Sequence, residues 1–158
     1  MLETKSDPEA KLKELGLTLT QPPKPVASYI ATLIISDLLF TSGNLPMKDS
    51  KVFYTGKMGE KNNTLEIGYE ASKLATLNSL SAAKEALGSL SKIKRIIKVT
   101  GYVNSASGFT DQPKVINGAS DLLVNIFGEN GKHVRSAVGV AELPLNALVE
   151  IEFIYQLH

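Results

Sequence analysis

The sequence predicts an α+β fold: a mixed β-sheet with two helices packed on one of its faces. Three observations carry that expectation. Residues 149–155 alternate, with Val149, Ile151, Phe153 and Tyr155 on one side and Glu150 and Glu152 on the other, as a half-buried strand requires. Residues 63–87 and 111–127 carry apolar side chains at helical spacing and stop at Gly88 and Gly128. The runs follow in the order β-β-(β)-α-β-α-β-β without internal repeats, which suits helices layered on a sheet.

A chain of 158 residues is long enough for one domain with a substantial core. It divides into residues 1–26, a helix and proline-rich connector, and residues 27–158, the main domain. Seventeen basic residues against sixteen acidic leave a net charge of +1, too balanced for a dedicated nucleic-acid binder. Cysteine is absent, which excludes disulfides, a thiolate nucleophile and a sulfur-ligated zinc site. His133 and His158 are the two histidines, too few for a multi-histidine metal site within one chain. The start of the chain lacks the pattern of a signal peptide. The most apolar window, residues 26–40, is too short for a membrane span and contains Ser28, Thr32, Ser36 and Asp37. A soluble, cytoplasmic protein without membrane association is expected.

Residues 6–16 read as a short helix capped by Ser6 or Asp7, with Pro8 in its first turn and Gly16 at its stop. Pro22, Pro23 and Pro25 force an extended connector. Strands are expected over 27–35 and 38–43 around a Ser36-Asp37 turn, and over 52–54. Asn63, with Glu66 three residues later, is expected to cap the long helix. Its buried stripe would be Ile67, Ala71, Leu74, Leu77, Leu80 and Leu87, leaving Ser72, Thr76, Ser79 and Ala83 toward water. Residues 93–104 read as a central strand carrying Ile97, Val99 and Val103, with Lys92, Lys94, Arg95 and Lys98 as a solvated entrance, the alternative being an anion or RNA patch. Thr110 would cap the second helix, buried through Val115, Ala119, Leu122, Leu123 and Ile126.

Residues 133–155 read as two extended runs joined by a turn at 143–146. The first exposes Arg135, Ala137, Gly139 and Ala141 on one face; such small residues favour close approach of another subunit. Arg135 is one of two arginines, and two readings stay open for it: a ligand grip, or an ion-pair partner for Glu142, Glu150 or Glu152. As hairpin neighbours, Arg135 would stand opposite Tyr155, several residues from Glu150. The two could then share a cleft only along the sheet, across subunits, or if the strands are not neighbours.

Three segments carry a family resemblance: LLFTSGNLP (38–46), GFTDQPKVINGASDLL (108–123) and RSAVGVAELPLNALVEIE (135–152). They resemble the Rid family of enamine/imine deaminases, also called YjgF-like or endoribonuclease L-PSP, and more closely a longer subgroup with an additional N-terminal helix. The resemblance implies a chorismate-mutase-like α+β fold and a homotrimer with ligand clefts between subunits. It implies that Arg135 grips a substrate carboxylate as a bidentate fork, a geometry lysine does not reproduce. It implies that Glu150 holds the attacking water, and that Ser42, Tyr29 and Asn117 line the cleft. Where better-known members carry a cysteine, this sequence has Ala137. His133 lies two residues before Arg135 and shares its face, either tuning the pocket or facing solvent.

The implied reaction hydrolyses an imine derived from an amino acid, of the 2-aminoacrylate type, to a 2-keto acid and ammonia. It needs no metal and no cofactor, only a carboxylate grip, one oriented water and proton transfer. Two alternatives stand beside it: a non-catalytic trimer that binds small carboxylates, as a sensor or chaperone, and an endoribonuclease. Near-neutral charge and the lack of a histidine pair weigh against the last.

Overall fold

The computed structural model describes residues 7–22 and 24–158. Helix α1 (Pro8–Glu14) starts where Asp7 accepts a hydrogen bond from the Glu9 N–H at 3.0 Å, while the alternative cap Ser6 lies outside the described residues. Leu12 is buried, and Glu9 pairs with Lys84 at 2.9 Å and accepts from the Ser89 hydroxyl at 3.0 Å. These contacts fasten α1 to the helical layer.

Strands β1 (Thr32–Ile35) and β2 (Leu38–Thr41) form the expected hairpin, with Ser36 at a φ of 56° in the turn. Both are shorter than expected; β2 ends before Asn44, which bridges Ile151 in another strand. Strands β3 (Met47–Lys48) and β4 (Lys51–Val52) make a second small hairpin. Asp49 and Ser50, at φ 51° and 61°, turn it with the handedness that two-residue hairpins favour. The strand expected over 52–54 therefore sits earlier.

Helix α2 (Leu65–Leu87) is capped by Thr64, whose hydroxyl accepts from the Ile67 N–H at 3.2 Å. Asn63 instead braces the preceding loop by donating to the Thr55 and Lys57 carbonyls. The expected stripe of this helix is half borne out: Ala71, Leu80 and Leu87 are buried, Ile67, Leu74 and Leu77 are only partly so, and Ser72, Thr76, Ser79 and Ala83, expected toward water, are fully buried. Hydrogen bonding holds two of these polar side chains inside. The Thr76 hydroxyl donates to the Ser72 carbonyl at 2.8 Å, and the Ser79 hydroxyl meets the Tyr155 hydroxyl at 2.7 Å. Small residues also admit the next helix: a Cβ on Gly118 would lie 2.0 Å from the Tyr69 carbonyl oxygen.

Strand β5 (Ile93–Asn104) buries Ile93, Ile96, Val99 and Val103. Register shifts between Ile93 and Arg95 and between Ile96 and Lys98 move Ile97 out of the core, where strict alternation would have put it. Lys94, Arg95 and Lys98 are exposed. Helix α3 (Gln112–Phe127) begins after Asp111, one residue beyond the expected Thr110 cap, and buries the predicted stripe.

Strands β6 (Val134–Val140) and β7 (Val149–Leu157) are not hairpin neighbours. The five-stranded sheet runs β1-β2-β7-β5-β6, with β6 parallel to β5 and all other pairs antiparallel. Residues 141–148 must cross the end of β5, and polar contacts hold them there. The Asn104 side chain donates to the Ala147 carbonyl at 3.1 Å, and the Lys57 ammonium donates to Asn104 Oδ1 at 2.9 Å. Lys57 also donates to the Ala141 carbonyl and pairs with Glu142 at 3.2 Å. Leu145 and Asn146, both at positive φ, supply the reversal.

Helices α2 and α3 cover one sheet face, and the other is bare. Registers place Leu33, Phe40, Ile154, Lys98 and Val134 in one row across all five strands of the bare face. Leu33 is 49% exposed and Val134 66%. Arg135, Ala137 and Gly139 are not on this face, contrary to expectation. Arg135 shares the face of buried Val99 and Phe153, toward α3, and a Cβ on Gly139 would meet Gln112 Nε2 at 2.6 Å. The small size of Ala137 and Gly139 serves the approach of this chain's own helix.

Candidate functional site

The residues singled out in the sequence gather into two groups. The first lies between β6 and α3. Pro113, Asn117 and Ser120 are spaced by four and three residues, so they form one stripe along α3. Arg135 reaches this stripe from β6: its Nη1 donates to the Ser120 hydroxyl oxygen at 3.0 Å and its Nη2 to the Pro113 carbonyl at 3.3 Å. Half-buried Asn117 lies between these two anchors in sequence. His133 is half-buried rather than solvent-facing, with Nε2 2.9 Å from the Ser120 hydroxyl and Nδ1 2.6 Å from the Gly131 carbonyl. Burial pulls its imidazole below the ordinary histidine value; the Gly131 hydrogen bond opposes this and the Arg135 charge adds to it.

The ion-pair alternative for Arg135 does not hold. Glu142 is paired with Lys57, and none of the ion pairs among the described residues includes Arg135. Among the described residues, the guanidinium is therefore oriented by two neutral oxygens with no ion-pair partner, and three of its five N–H groups make no hydrogen bond.

The second group lies where β2 passes β7. The Ser42 hydroxyl donates to the Ile30 carbonyl at 2.6 Å, fixing the segment that carries Tyr29. Tyr29 is 52% exposed. Asn44 exchanges backbone hydrogen bonds with Ile151 at 2.8 and 3.0 Å, which sets Gly43 against Glu150. A Cβ on Gly43 would stand 2.1 Å from Glu150 Oε1, so the carboxyl rests where any other residue's side chain would begin. Burial, then the neighbouring Glu152 charge, raises the Glu150 carboxyl above its ordinary value. A cavity of about 310 Å³ adjoins this group, bordered by Val26, Tyr29, Ser42, Gly43, Asn44 and Leu145.

One chain does not unite the two groups. Glu150 is aligned with Tyr102 and Val138 on the bare face, while Arg135 is aligned with Val99 and Phe153 on the helical face. Sequence reading missed Gly43, Ser120 and the full role of His133. The stripe spacing of Asn117 and Ser120 was the signal available for Ser120; Gly43 had none beyond its place beside Ser42.

Residues 9–157 match the family described as "YjgF/chorismate_mutase-like, putative endoribonuclease". The chain belongs to this family. Among its YjgF-like relatives, a Trypanosoma cruzi protein named TCP17 is 39% identical over 150 residues, spanning 94% of this chain and 93% of that protein. A crystal structure of an Agrobacterium tumefaciens protein of unknown function superposes with a TM-score of 0.89 at 43% identity, covering 96% of this chain and 92% of that one. A Dermatophagoides farinae relative named 2-iminobutanoate/2-iminopropanoate deaminase is 29% identical over 133 residues, covering 84% of this chain and 88% of the relative. The YjgF-like assignment agrees with the mixed sheet and the helices on one face. Among the described residues, no helix is long and apolar enough to cross a membrane.

Proposed function

We propose that this protein is an imine hydrolase acting as a homotrimer, which converts enamine/imine intermediates derived from amino acids to 2-keto acids and ammonia. The observation that carries the reading is the Arg135 guanidinium, without an ion-pair partner among the described residues and held by Ser120 and Pro113 with a fork of donors left for a carboxylate. The relative named as a deaminase supports the substrate class.

Two features support association of copies, and the count of three rests on the family resemblance. Arg135 and Glu150 lie on opposite faces of one sheet, so a cleft containing both needs two chains. The bare face carries Leu33, Phe40, Ile154 and Val134 in a row interrupted only by Lys98, and burying these apolar side chains would favour association. Arg135 and Asn117 of one subunit then meet Tyr29, Ser42 and Glu150 of its neighbour.

Arg135 holds the substrate carboxylate, and the enamine tautomerises to the imine. Glu150 takes a proton from water as the water oxygen bonds to the imine carbon, and the nitrogen is protonated. The C–N bond of the resulting amino alcohol breaks, ammonia leaves, and loss of the hydroxyl proton gives the keto acid. The raised affinity of Glu150 for protons suits its return of the proton to the departing amine. No metal or cofactor enters these steps.

Arg135→Ala is expected to abolish the acceleration of ammonia release over the uncatalysed rate in an assay that generates 2-aminoacrylate, with the oligomer intact by light scattering. Normal turnover in that variant would refute the proposal. Ala137, which offers no thiol, favours a second reading: a trimer that binds 2-keto acids without turnover. Thermal stabilisation by 2-ketobutyrate without ammonia release would select it. Ribonuclease activity is disfavoured, since both ring nitrogens of His133 are engaged within the protein.

A further inference from the structure

We infer that His133 and Ser120 are positioning residues that hold the carboxylate-gripping arginine in place, and that they do so only while His133 is neutral. The inference rests on the reading of Arg135 as a carboxylate grip and adds a means by which pH governs that grip.

Hydrogen-bond direction decides the arrangement. The Gly131 carbonyl can only accept, so at 2.6 Å His133 Nδ1 must carry the proton. A neutral ring then has a bare Nε2, which can only accept, and the Ser120 hydroxyl 2.9 Å away must donate to it. With its hydrogen committed, the Ser120 oxygen presents its lone pairs to Arg135 Nη1 at 3.0 Å. The chain therefore runs from Arg135 to Ser120 to His133 to Gly131, each member with one permitted direction. Without the imidazole the Ser120 hydroxyl would rotate freely and hold the guanidinium less firmly.

Protonation reverses the Ser120–His133 link and leaves the His133–Gly131 bond as it is. A proton on Nε2 makes it a donor to the same Ser120 oxygen, placing two cations on one hydroxyl. The guanidinium is the member free to move, because its other anchor is the longer Pro113 contact at 3.3 Å. The remaining charged groups nearby are already engaged. Asp121, next to Ser120 on α3, accepts from the Tyr69 hydroxyl at 3.0 Å, and Lys132 pairs with Glu129 at 2.9 Å. Lys98 of β5 is aligned with Val134 on the other face of the sheet. Among the described residues, no carboxylate forms an ion pair with His133 that would stabilise the imidazolium.

Pyruvate and 2-ketobutyrate are suitable probes, since their carboxylates stay ionised throughout the range. At about pH 8, Ser120→Ala and His133→Phe are expected to weaken calorimetric binding by about fivefold, the loss of one hydrogen bond's worth of positioning. His133→Gln, whose carbonyl reaches the Nε2 position and does not titrate, restores most of the affinity. On acidification through the histidine range the wild type falls toward the His133→Phe level while His133→Gln stays flat. Equal binding by His133→Phe and wild type, or the same acid limb in His133→Gln, would overturn the inference. The imidazole is followed separately by NMR in the ligand-free protein. It should be the Nδ1–H tautomer and titrate below the ordinary value, and Arg135→Gln should raise that value by removing a neighbouring cation. If the keto acids bind the wild type at no pH, the proposed function fails, and the NMR result alone decides: a rise in Arg135→Gln supports the positioning chain, and an unchanged titration overturns it.

Discussion

The hydroxyl pair between α2 and β7 allows a quantitative test of how this core is held together. Tyr155 is fully buried and stacks on Phe153 with ring centroids 5.7 Å apart; its hydroxyl lies 2.7 Å from that of Ser79, which is also fully buried. Tyr155→Phe keeps the ring and removes one oxygen. It forfeits a net hydrogen bond and strands the Ser79 hydroxyl, for a loss of about 1–3 kcal/mol. Ser79→Ala strands the tyrosine hydroxyl instead, at similar cost, less about 0.5 kcal/mol regained from the better helix propensity of alanine. The double variant strands nothing and should lie within about 1 kcal/mol of wild type, so most of the two single losses, about 1.5–5.5 kcal/mol together, should reappear as coupling between the sites. Tryptophan is absent, so urea melts are best read by far-UV circular dichroism, at one fixed protein concentration because assembly would shift the midpoint. Additive effects, or single variants within about 0.5 kcal/mol of wild type, would refute the reasoning.

Three further outcomes are expected. Gly118→Ala places a Cβ 2.0 Å from the Tyr69 carbonyl oxygen and 2.9 Å from its carbon, so the α2–α3 crossing must open, with a loss of about 3 kcal/mol or more by the same melts. Ser72→Ala removes a buried hydroxyl that has no hydrogen-bond partner and should stabilise the protein by about 1 kcal/mol; a loss of stability would show that the hydroxyl is satisfied after all. Glu150 has its proton affinity raised in the folded state, so folding binds protons there and stability falls as pH rises from the ordinary carboxylate value through the raised one. Glu150→Gln should therefore gain more stability relative to wild type at neutral pH than at about pH 4, and equal gains at both would contradict the burial argument.

Local features of this fold were legible in the sequence, and their pairing was not. Gly88 and Gly128 end α2 and α3 as read, and the alternation of residues 149–155 marks the buried face of β7 correctly. These signals depend on neighbours within a few residues. The separation of β6 from β7 depends on β5, thirty or more residues earlier, and a connection as short as residues 141–148 reads naturally as a hairpin. The inward face of α2 was misread because hydropathy ranks serine and threonine as surface residues, whereas Ser79 and Thr76 have their partners at Tyr155 and Ser72. Strand β5 lost its alternation to bulges, which leave no mark in composition. For the candidate site, residue chemistry and family resemblance picked out Arg135, Glu150, Ser42, Tyr29 and Asn117. They could not assign these to two faces of one sheet, since face follows from register across three strands.

The position of β7 has a consequence for how the protein is made. It is the last strand in chain order, yet it lies between β2 and β5 and bonds to both. Until residue 157 has left the ribosome, the nascent chain holds two half-sheets, each with an unpaired edge where β7 belongs. Folding must therefore wait for the end of this segment, and the exposed edges are templates for aggregation in the meantime. A stalled or prematurely terminated chain lacking residues 149–157 would be a substrate for chaperones or proteases rather than a smaller functional domain.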